Sequence, residues 1–366
     1  MAIKYSTLLI VFCFCLAACH KKTGSSAKSD YQKTYSIDYV ENEIFDWHAH
    51  MEIEEIIPLE FSDSSMISMA QDCLVTKDNI LIHDYKQHCL FAFDRRGKYL
   101  YSINNIGNGP GEYLDIRSFC LNDVGREIII NDGYKLLFYK LSDGTYLHSI
   151  PLKLTIDNPT RNVLFFSCIN PSKDTYYLWT DMADYTLYKY DGKEMIGLKP
   201  RTHYQLGMKK FLMNYKGDYL YCPDYGEFGI STINGDKRFY IDFGDKELPA
   251  EKRPQNMSEL QAVEKEPYFK AIMNVQETES GIYVSALSPR TNYYDIYINK
   301  NTGTIWKGHI DPNSRLSIMQ VEGKSFYALF YPYIVNEDSP LKKDLSAYIT
   351  FGDNPILIKF HMKDAN

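Results

Sequence analysis

Four aspartates stand out as side chains whose spacing could serve chemistry. Asp84, Asp132, Asp181 and Asp224 recur at intervals of 48, 49 and 43 residues, each just after a short apolar run. Carboxylates repeated on such a beat can form a ring that attracts a cation or a basic partner. They can equally close turns, because an Asp side chain bonds nearby backbone N–H groups and ends a strand. Asp46-Trp-His-Ala-His50 is a second candidate. On a strand, His48 and His50 would face the same way, as metal-ligand pairs do. A complete metal site needs further ligands, and His83, His88, His148 and His203 have no ligand spacing. Glu112 and Arg117 complete the set, pairing with each other or with neighbouring loops, or touching a ligand.

These residues need a scaffold, and the spacing describes one. Turn glycines fall at Gly97, Gly144, Gly192, Gly235, Gly303 and Gly352, at intervals of 47, 48, 43, 68 and 49. Cys73, Cys120 and Cys168 keep the same beat upstream of the apolar runs. Repeats of roughly 40 to 50 residues, each holding about four short strands, are the signature of a β-propeller blade. One blade then has strand a near Asp72–Val75, b near Ile80–His83, c near Cys89–Asp94 and d near Lys98–Ile103. Six such units run from about Met69 to His361, which predicts an all-β, six-bladed propeller with four-stranded antiparallel blades. The long fourth interval places an insertion at about 245–264, a polar loop with a short surface helix. A second long loop is expected around Asn336–Lys343. Met51–Leu59 contains a strand expected to complete the blade built by the other terminus, closing the ring and removing an open edge.

In such a meander the b–c loops and the links between blades share one face. The four aspartates begin b–c loops and Asn104–Tyr113 is an interblade link, so Asp84, Glu112, Arg117, Asp132, Asp181 and Asp224 form one candidate binding face. The run Gly107-Asn-Gly-Pro-Gly-Glu112 supplies positive-φ positions for a tight bend. It lacks the Lys-Ser/Thr ending and the following helix of a phosphate loop.

Residues 1–18 read as a lipoprotein signal peptide: Lys4, then an apolar stretch too short to span a bilayer, ending Leu16-Ala17-Ala18-Cys19. The ending matches the bacterial lipoprotein box, which implies cleavage before Cys19 and acylation of that residue. Several acyl chains on one residue make a stable membrane anchor. Residues 19–34 form the lipidated Cys and a Ser/Lys/Gly-rich tether, leaving 35–366 for the propeller. Lys21 and Lys22 stand where some surface lipoproteins carry acids, which favours the periplasmic face of the outer membrane.

The formal charge is −7 at pH 7 and −8 after loss of Lys4, so the chain has no basic stripe for nucleic acid. Five cysteines remain beyond Cys19, an odd number. Cys73 and Cys89 lie on strands a and c, nearly 10 Å apart by two strand spacings of about 4.8 Å, beyond disulfide reach. The 31 Tyr suit strands and blade packing, and a few can serve as aromatic platforms for sugar or peptide.

Pro58-Leu-Glu-Phe-Ser-Asp-Ser-Ser65, Phe91-Ala-Phe-Asp-Arg-Arg-Gly97 and Gly107-Asn-Gly-Pro-Gly-Glu-Tyr113 together resemble the six-bladed β-propeller lipoproteins of the Bacteroidota, which are similar to NHL-repeat and TolB-like propellers. The resemblance is specific over about residues 50–150. It implies a six-bladed ring on a lipid anchor and supplies no catalytic residues. With no Gly-x-Ser-x-Gly elbow and no His-Glu-x-x-His, no catalytic residue or cofactor is predicted. The leading expectation is a membrane-tethered module presenting its b–c face to a glycan, peptide or envelope protein. The alternatives are a metal-dependent hydrolase or lyase at the central opening, and a structural accessory of an outer-membrane complex.

Overall fold

The computed structural model describes residues 28–122, 124–154, 163–204, 212–215, 218–290, 292–311, 316–349 and 354–363. The lipoprotein box with Cys19 lies outside these residues, as does Gly352.

Strands β1 (Lys33–Ser36), β2 (Ile44–Phe45) and β3 (Met51–Pro58) precede the repeats, with a helical turn α1 (Trp47–His50) between the last two. Blade I holds β4 (Ala70–Val75), β5 (Asn79–Asp84), β6 (Cys89–Asp94) and β7 (Tyr99–Ile103). Blade II holds β8 (Ser118–Leu121), β9 (Glu127–Asn131), β10 (Lys135–Lys140) and β11 (Tyr146–Pro151). Blade III holds β12 (Ser167–Ser172), β13 (Thr175–Trp179), β14 (Tyr185–Tyr190) and β15 (Met195–Pro200). Blade IV holds β16 (Leu212–Tyr215), β17 (Asp218–Tyr221), β18 (Gly229–Thr232) and β19 (Lys237–Asp242). Blade V holds β20 (Ala271–Glu277), β21 (Gly281–Leu287), β22 (Tyr293–Asn299) and β23 (Ile305–Ile310). Blade VI takes β24 (Ser317–Glu322), β25 (Ser325–Phe330) and β26 (Ile356–Met362) from the C-terminal end and its outer strand, β3, from the N-terminal end.

Each blade is an antiparallel meander buried on both faces, so its central strands read as continuous apolar runs. In β5, Ile80 and Ile82 pack toward blade VI while Leu81 packs toward blade II. The alternation repeats in β25, where Phe326, Ala328 and Phe330 meet blade V and Tyr327 and Leu329 meet blade I. Six hydrophobic cores result, one at every blade–blade junction. A fully buried Ile or Leu in these junctions stabilises the fold by about 1.5–3 kcal/mol.

Closure is antiparallel between β26 and β3, from Met362 opposite Met51 to Ile356 opposite Pro58. The expected closing strand is thus present, in the outermost position. Because β3 supplies the fourth strand, blade VI needs no c–d turn of its own, and a long connection joins β25 to β26. That connection carries α3 (Pro340–Asp344). The insertion of the long fourth interval holds two 3₁₀ turns and α2 (Met257–Val263), capped by Asn256 accepting from the Glu259 N–H. Leu248, Leu260 and Val263 seat it against Tyr225 and Ala271.

Two further segments add parallel fifth strands, β1 on β19 and β2 on β23. The tether boundary at residue 34 therefore moves inward. The chain is held from Lys28, whose ammonium pairs with Asp242 (2.6 Å) and Glu247 (2.9 Å).

Polar side chains lock the junctions from within. The Gln320 amide accepts from Val75 N–H (2.7 Å) and donates to Val75 C=O (3.0 Å), joining blade VI to blade I. Asn274 donates to Ile318 C=O (2.9 Å) between blades V and VI. The five described cysteines are buried and none is in a disulfide, with Cys73, Cys120 and Cys168 on inner strands.

The c–d turn of blade I meets the closing segment at Gly97, where φ is +81° and an added Cβ would stand 2.0 Å from Pro58 C=O. At Gly192, φ is +86° and the same space is open. Thermal denaturation should show Gly192→Ala costing about 1 kcal/mol, the backbone cost alone. Gly97→Ala should cost at least twice that, because main chain at the ring closure must also shift. Equal costs would mean that the contact carries no strain.

Candidate functional site

The links between blades and the b–c turns emerge on one face, and the predicted residues are distributed over it. Asp84 is fully buried and is consumed as a cap. Its carboxylate accepts from the N–H groups of Ser68, Met69, Lys86 and Gln87 and from the Gln87 amide. Burial opposes its charge, but these donors hold its carboxyl below the usual range. Asp132 caps its turn through Tyr134 N–H and Lys135 N–H. Asp181 presents its backbone carbonyl to Arg201 (2.9 Å). Asp84 and Asp132 are thus engaged by backbone N–H groups of their own turns. Glu112 and Arg117 do not pair with each other: Glu112 folds back to accept from Gly109 N–H (2.7 Å), and Arg117 turns to Asp115.

Arg117 is the predicted residue that leads to a polar constellation near the central opening, between blades I and II. Asp115 is shared, with one carboxylate oxygen 2.7 Å from His88 Nδ1 and the other 3.2 Å from the Arg117 guanidinium. The guanidinium lies 6.0 Å from the Phe166 ring centre. Behind them sits His83, 1% exposed, cross-strand from Asp72 and edge-on to Phe119. Its Nε2 is buried with no hydrogen-bond partner. Burial holds the His83 imidazole below its ordinary pKa, against the pull of Asp72, Asp115 and Asp84.

Tyr113 positions the group. Fully buried, it bolts the glycine-rich link to the b–c turn by donating to His88 C=O (2.9 Å) and Ile103 C=O (2.8 Å). His88 occupies a left-handed backbone conformation (φ 51°), and Asp115 follows Tyr113 by two residues. One side chain thus sets both halves of the His88–Asp115 pair. Sequence reasoning passed over His88, His83 and Asp115 because their meeting depends on how blade I packs on blade II. The available signal was Tyr113, an aromatic closing a glycine run.

A second cluster lies between blades III and IV. Asp224 is fully buried, accepts from Tyr221 OH (2.5 Å) and lies 2.8 Å from Lys199 Nζ, which also reaches Glu227 (3.1 Å). Arg253 from the insertion approaches Glu227 (3.5 Å). Burial opposes the charge of Glu227, but Lys199 and Arg253 outweigh it and hold its carboxyl low. Through Arg253 this network fastens the insertion to the body.

Around the first constellation the surface is apolar. Met66, Met69, Tyr85, Tyr333 and Ile334 are all exposed, Tyr85 to 46% and Tyr333 to 61%. They adjoin one another: Tyr85 N–H donates to Met69 C=O, and Tyr333 packs on Tyr331, whose hydroxyl reaches Ala70 C=O. The Tyr85 ring lies 6.2 Å from that of His88. Of two clefts, of about 360 and 490 Å³, the first lies at Pro58–Phe61, Tyr348 and Asn354, which bonds Ile67 N–H and Ser65 C=O beside Met66, and the second at Ser36–Tyr39 and Phe243–Lys246.

The His-x-His motif is not a ligand pair. It forms a helical turn rather than a strand, so its imidazoles diverge. His48 pairs with Asp344 (2.8 Å), while His50 stacks on Trp306 (4.4 Å, 12°). Trp47, just before them, is fully buried and donates to Asp295 (3.1 Å), anchoring the segment. Among the described residues no group of three or more His, Cys, Asp or Glu side chains is gathered to hold a metal ion.

Six four-stranded blades around a common centre, closed by an N-terminal strand, define a six-bladed β-propeller. Over residues 52–361 the chain matches the family described as a domain of unknown function, DUF4934, and it belongs to that family. It is similar in fold to a protein of Bacteroides fragilis whose name calls it exported. That match has a TM-score of 0.72 and 15% identity, and covers 90% of this chain and 99% of the other. A DUF4221-family member from Bacteroides vulgatus matches with a TM-score of 0.57 and 11% identity, over 86% of this chain and 98% of the other. No curated protein sequence matches. Among the described residues no helix is long and apolar enough to cross a membrane.

On the same face, Lys270 is fully buried and donates to the carbonyls of Tyr268 (3.1 Å), Ser288 (3.1 Å) and Pro289 (3.3 Å). Burial pushes its ammonium down to about 8. An unfolded Lys titrates near 10.4, so between about pH 8 and 10 the unfolded chain binds more protons than the folded one. Stability from this group should therefore rise with pH across that window. Denaturant melts at pH 7.5 and 9.5 should show the rise in the wild type and a smaller one in Lys270→Met.

Proposed function

We propose that this chain is an exported, lipid-anchored binding protein of the bacterial cell envelope that holds a partner on its loop face at blades VI, I and II. The observation that carries the reading is the contiguous exposure of Met66, Met69, Tyr85, Tyr333 and Ile334 beside the His88–Asp115–Arg117 group. Exposed apolar side chains gathered into a patch and rimmed by polar groups mark interaction sites, whereas scattered ones do not. Tyr, Met and Arg are also the residues enriched where surfaces meet partners. The propeller supplies a rigid frame for loops that hold the ligand.

The anchor rests on the Leu16-Ala17-Ala18-Cys19 box, with an outer-membrane address on the periplasmic face supported by Lys21 and Lys22. The exported name of the Bacteroides fragilis protein agrees with passage across the inner membrane.

Two experiments test this reading. Membrane fractionation should place the wild-type chain in the pellet and Cys19→Ala in the soluble fraction. A Cys19→Ala chain that stays membrane-bound would refute the anchor. For the face, a photocrosslinking amino acid at Tyr85 or Tyr333 should give discrete adducts in living cells. The same group at Lys193, on the exposed c–d turn of blade III, should give none. Adducts from Lys193 alone would place the binding face on the opposite side.

A further inference from the structure

We infer that the His88–Asp115–Arg117 group, with His83 behind it and Tyr85 beside it, is a subsite for a neutral, hydroxyl-rich ligand, the chemistry of a sugar ring. This rests on the binding-face reading and names the ligand class for it.

Three observations lead there. The first is hydrogen-bonding capacity left over. Asp115 is committed to His88 through one oxygen and to Arg117 through the other, which orients both partners outward from a half-buried carboxylate. With Nδ1 engaged by Asp115, the second ring nitrogen of His88 is directed away from that carboxylate. The buried Nε2 of His83 and the buried Nε of Arg117 have no partner within the protein. Buried polar atoms are satisfied in the great majority of cases, so two orphans in one small cluster mark hydrogen-bonding capacity that the protein itself leaves unused.

The second observation is charge. Asp115 and Arg117 cancel one another formally, and Asp84 and Asp132 are spent on backbone N–H groups of their own turns. The group therefore offers no net cation for a phosphate or carboxylate and no free carboxylate ring for an amine or a metal. What it does offer is donors and acceptors side by side. A hydroxyl, with one donor hydrogen and two acceptor lone pairs, matches such a surface, and adjacent hydroxyls match it better.

The third observation is the flat apolar wall. The Tyr85 ring stands exposed 6.2 Å from the His88 ring, and Tyr333 stands exposed near Asp84. An aromatic face next to a row of polar groups suits a ligand that is apolar on one side and hydroxylated at its edge. An extended peptide would instead seek a free strand edge or a deep apolar pocket. The outer strands of the blades lie at the rim, and neither cleft is lined by Tyr85, His88, Asp115 or Arg117.

The test uses the full chain purified in detergent, probed on arrays of neutral oligosaccharides and, separately, of peptides. Calorimetry with the best-binding oligosaccharide then compares variants. The wild type should bind a neutral oligosaccharide. Tyr85→Ala and Asp115→Asn should each weaken that binding at least tenfold, while Tyr85→Phe keeps it within about threefold because the ring face remains. Melting temperature is followed for every variant, and Tyr85, being exposed, provides the substitution least able to disturb folding. Absence of oligosaccharide binding, or binding unchanged in both Tyr85→Ala and Asp115→Asn, would overturn the subsite. Peptide binding lost in Tyr85→Ala without any oligosaccharide binding would overturn the ligand class and leave the face intact. Failure of both arrays together with crosslinks from Lys193 alone would remove the face as well.

Discussion

Every blade of this protein must bury both of its faces, and that requirement organises the rest. A four-stranded sheet with apolar side chains on both surfaces has no solvent side, so each blade needs a neighbour on either hand. A row of six blades would leave two such faces bare at its ends. The pairing of β3 with β26 removes the ends, and the cores at the VI–I and V–VI junctions are built in part from residues near the two termini of the folded body. The ring is therefore a condition for the stability of each blade.

Closure also decides where polar groups can be placed. Gln320 and Asn274 use both sides of the closing blade to satisfy backbone groups that inner strands leave unpaired. Asn354 does the same outside, taking Ile67 N–H (2.7 Å) and giving to the carbonyls of Glu60 and Ser65, so the closing strand and the first blade share one loop. These amides work at separations of up to 294 residues in sequence and make the ring a single body. On that body the loop face can hold side chains in fixed relation. Tyr113 is the clearest case, joining the b–c turn of blade I to the link into blade II.

Two fates of charged residues coexist on the loop face. Around Asp224 a fully buried carboxylate is matched by Lys199 and Tyr221. Such a network is costly to assemble from water and is held by its close ion pairs. Around His88 the account does not close, since His83 and Arg117 keep unmet atoms.

Much of the architecture was legible from residue order because strand and turn signals are local. Apolar runs, turn glycines and the recurring Cys and Asp marked the blades, and strands a to d of blade I fell within two residues of their expected ends. The interval of 68 located the insertion, and Met51–Leu59 could be recognised as a strand without a partner in its own repeat. Local signals failed where a period was assumed. His48 and His50 share a face only at the two-residue period of a strand, and α1 turns them apart. Gly352 continued the beat of the turn glycines, but the fourth strand of blade VI arrives from the other terminus.

The sequence by itself determined the repeat, the number of blades, the placement of strands and turns, and which loops share a face. Tertiary structure alone decided which side chains meet there. His88 and Asp115 are 27 residues apart on different connections, and Arg253 reaches Glu227 from an insertion. The physical reason is that hydrophobic periodicity and turn chemistry act over a few residues, whereas these encounters depend on the angle at which one closed blade packs on the next.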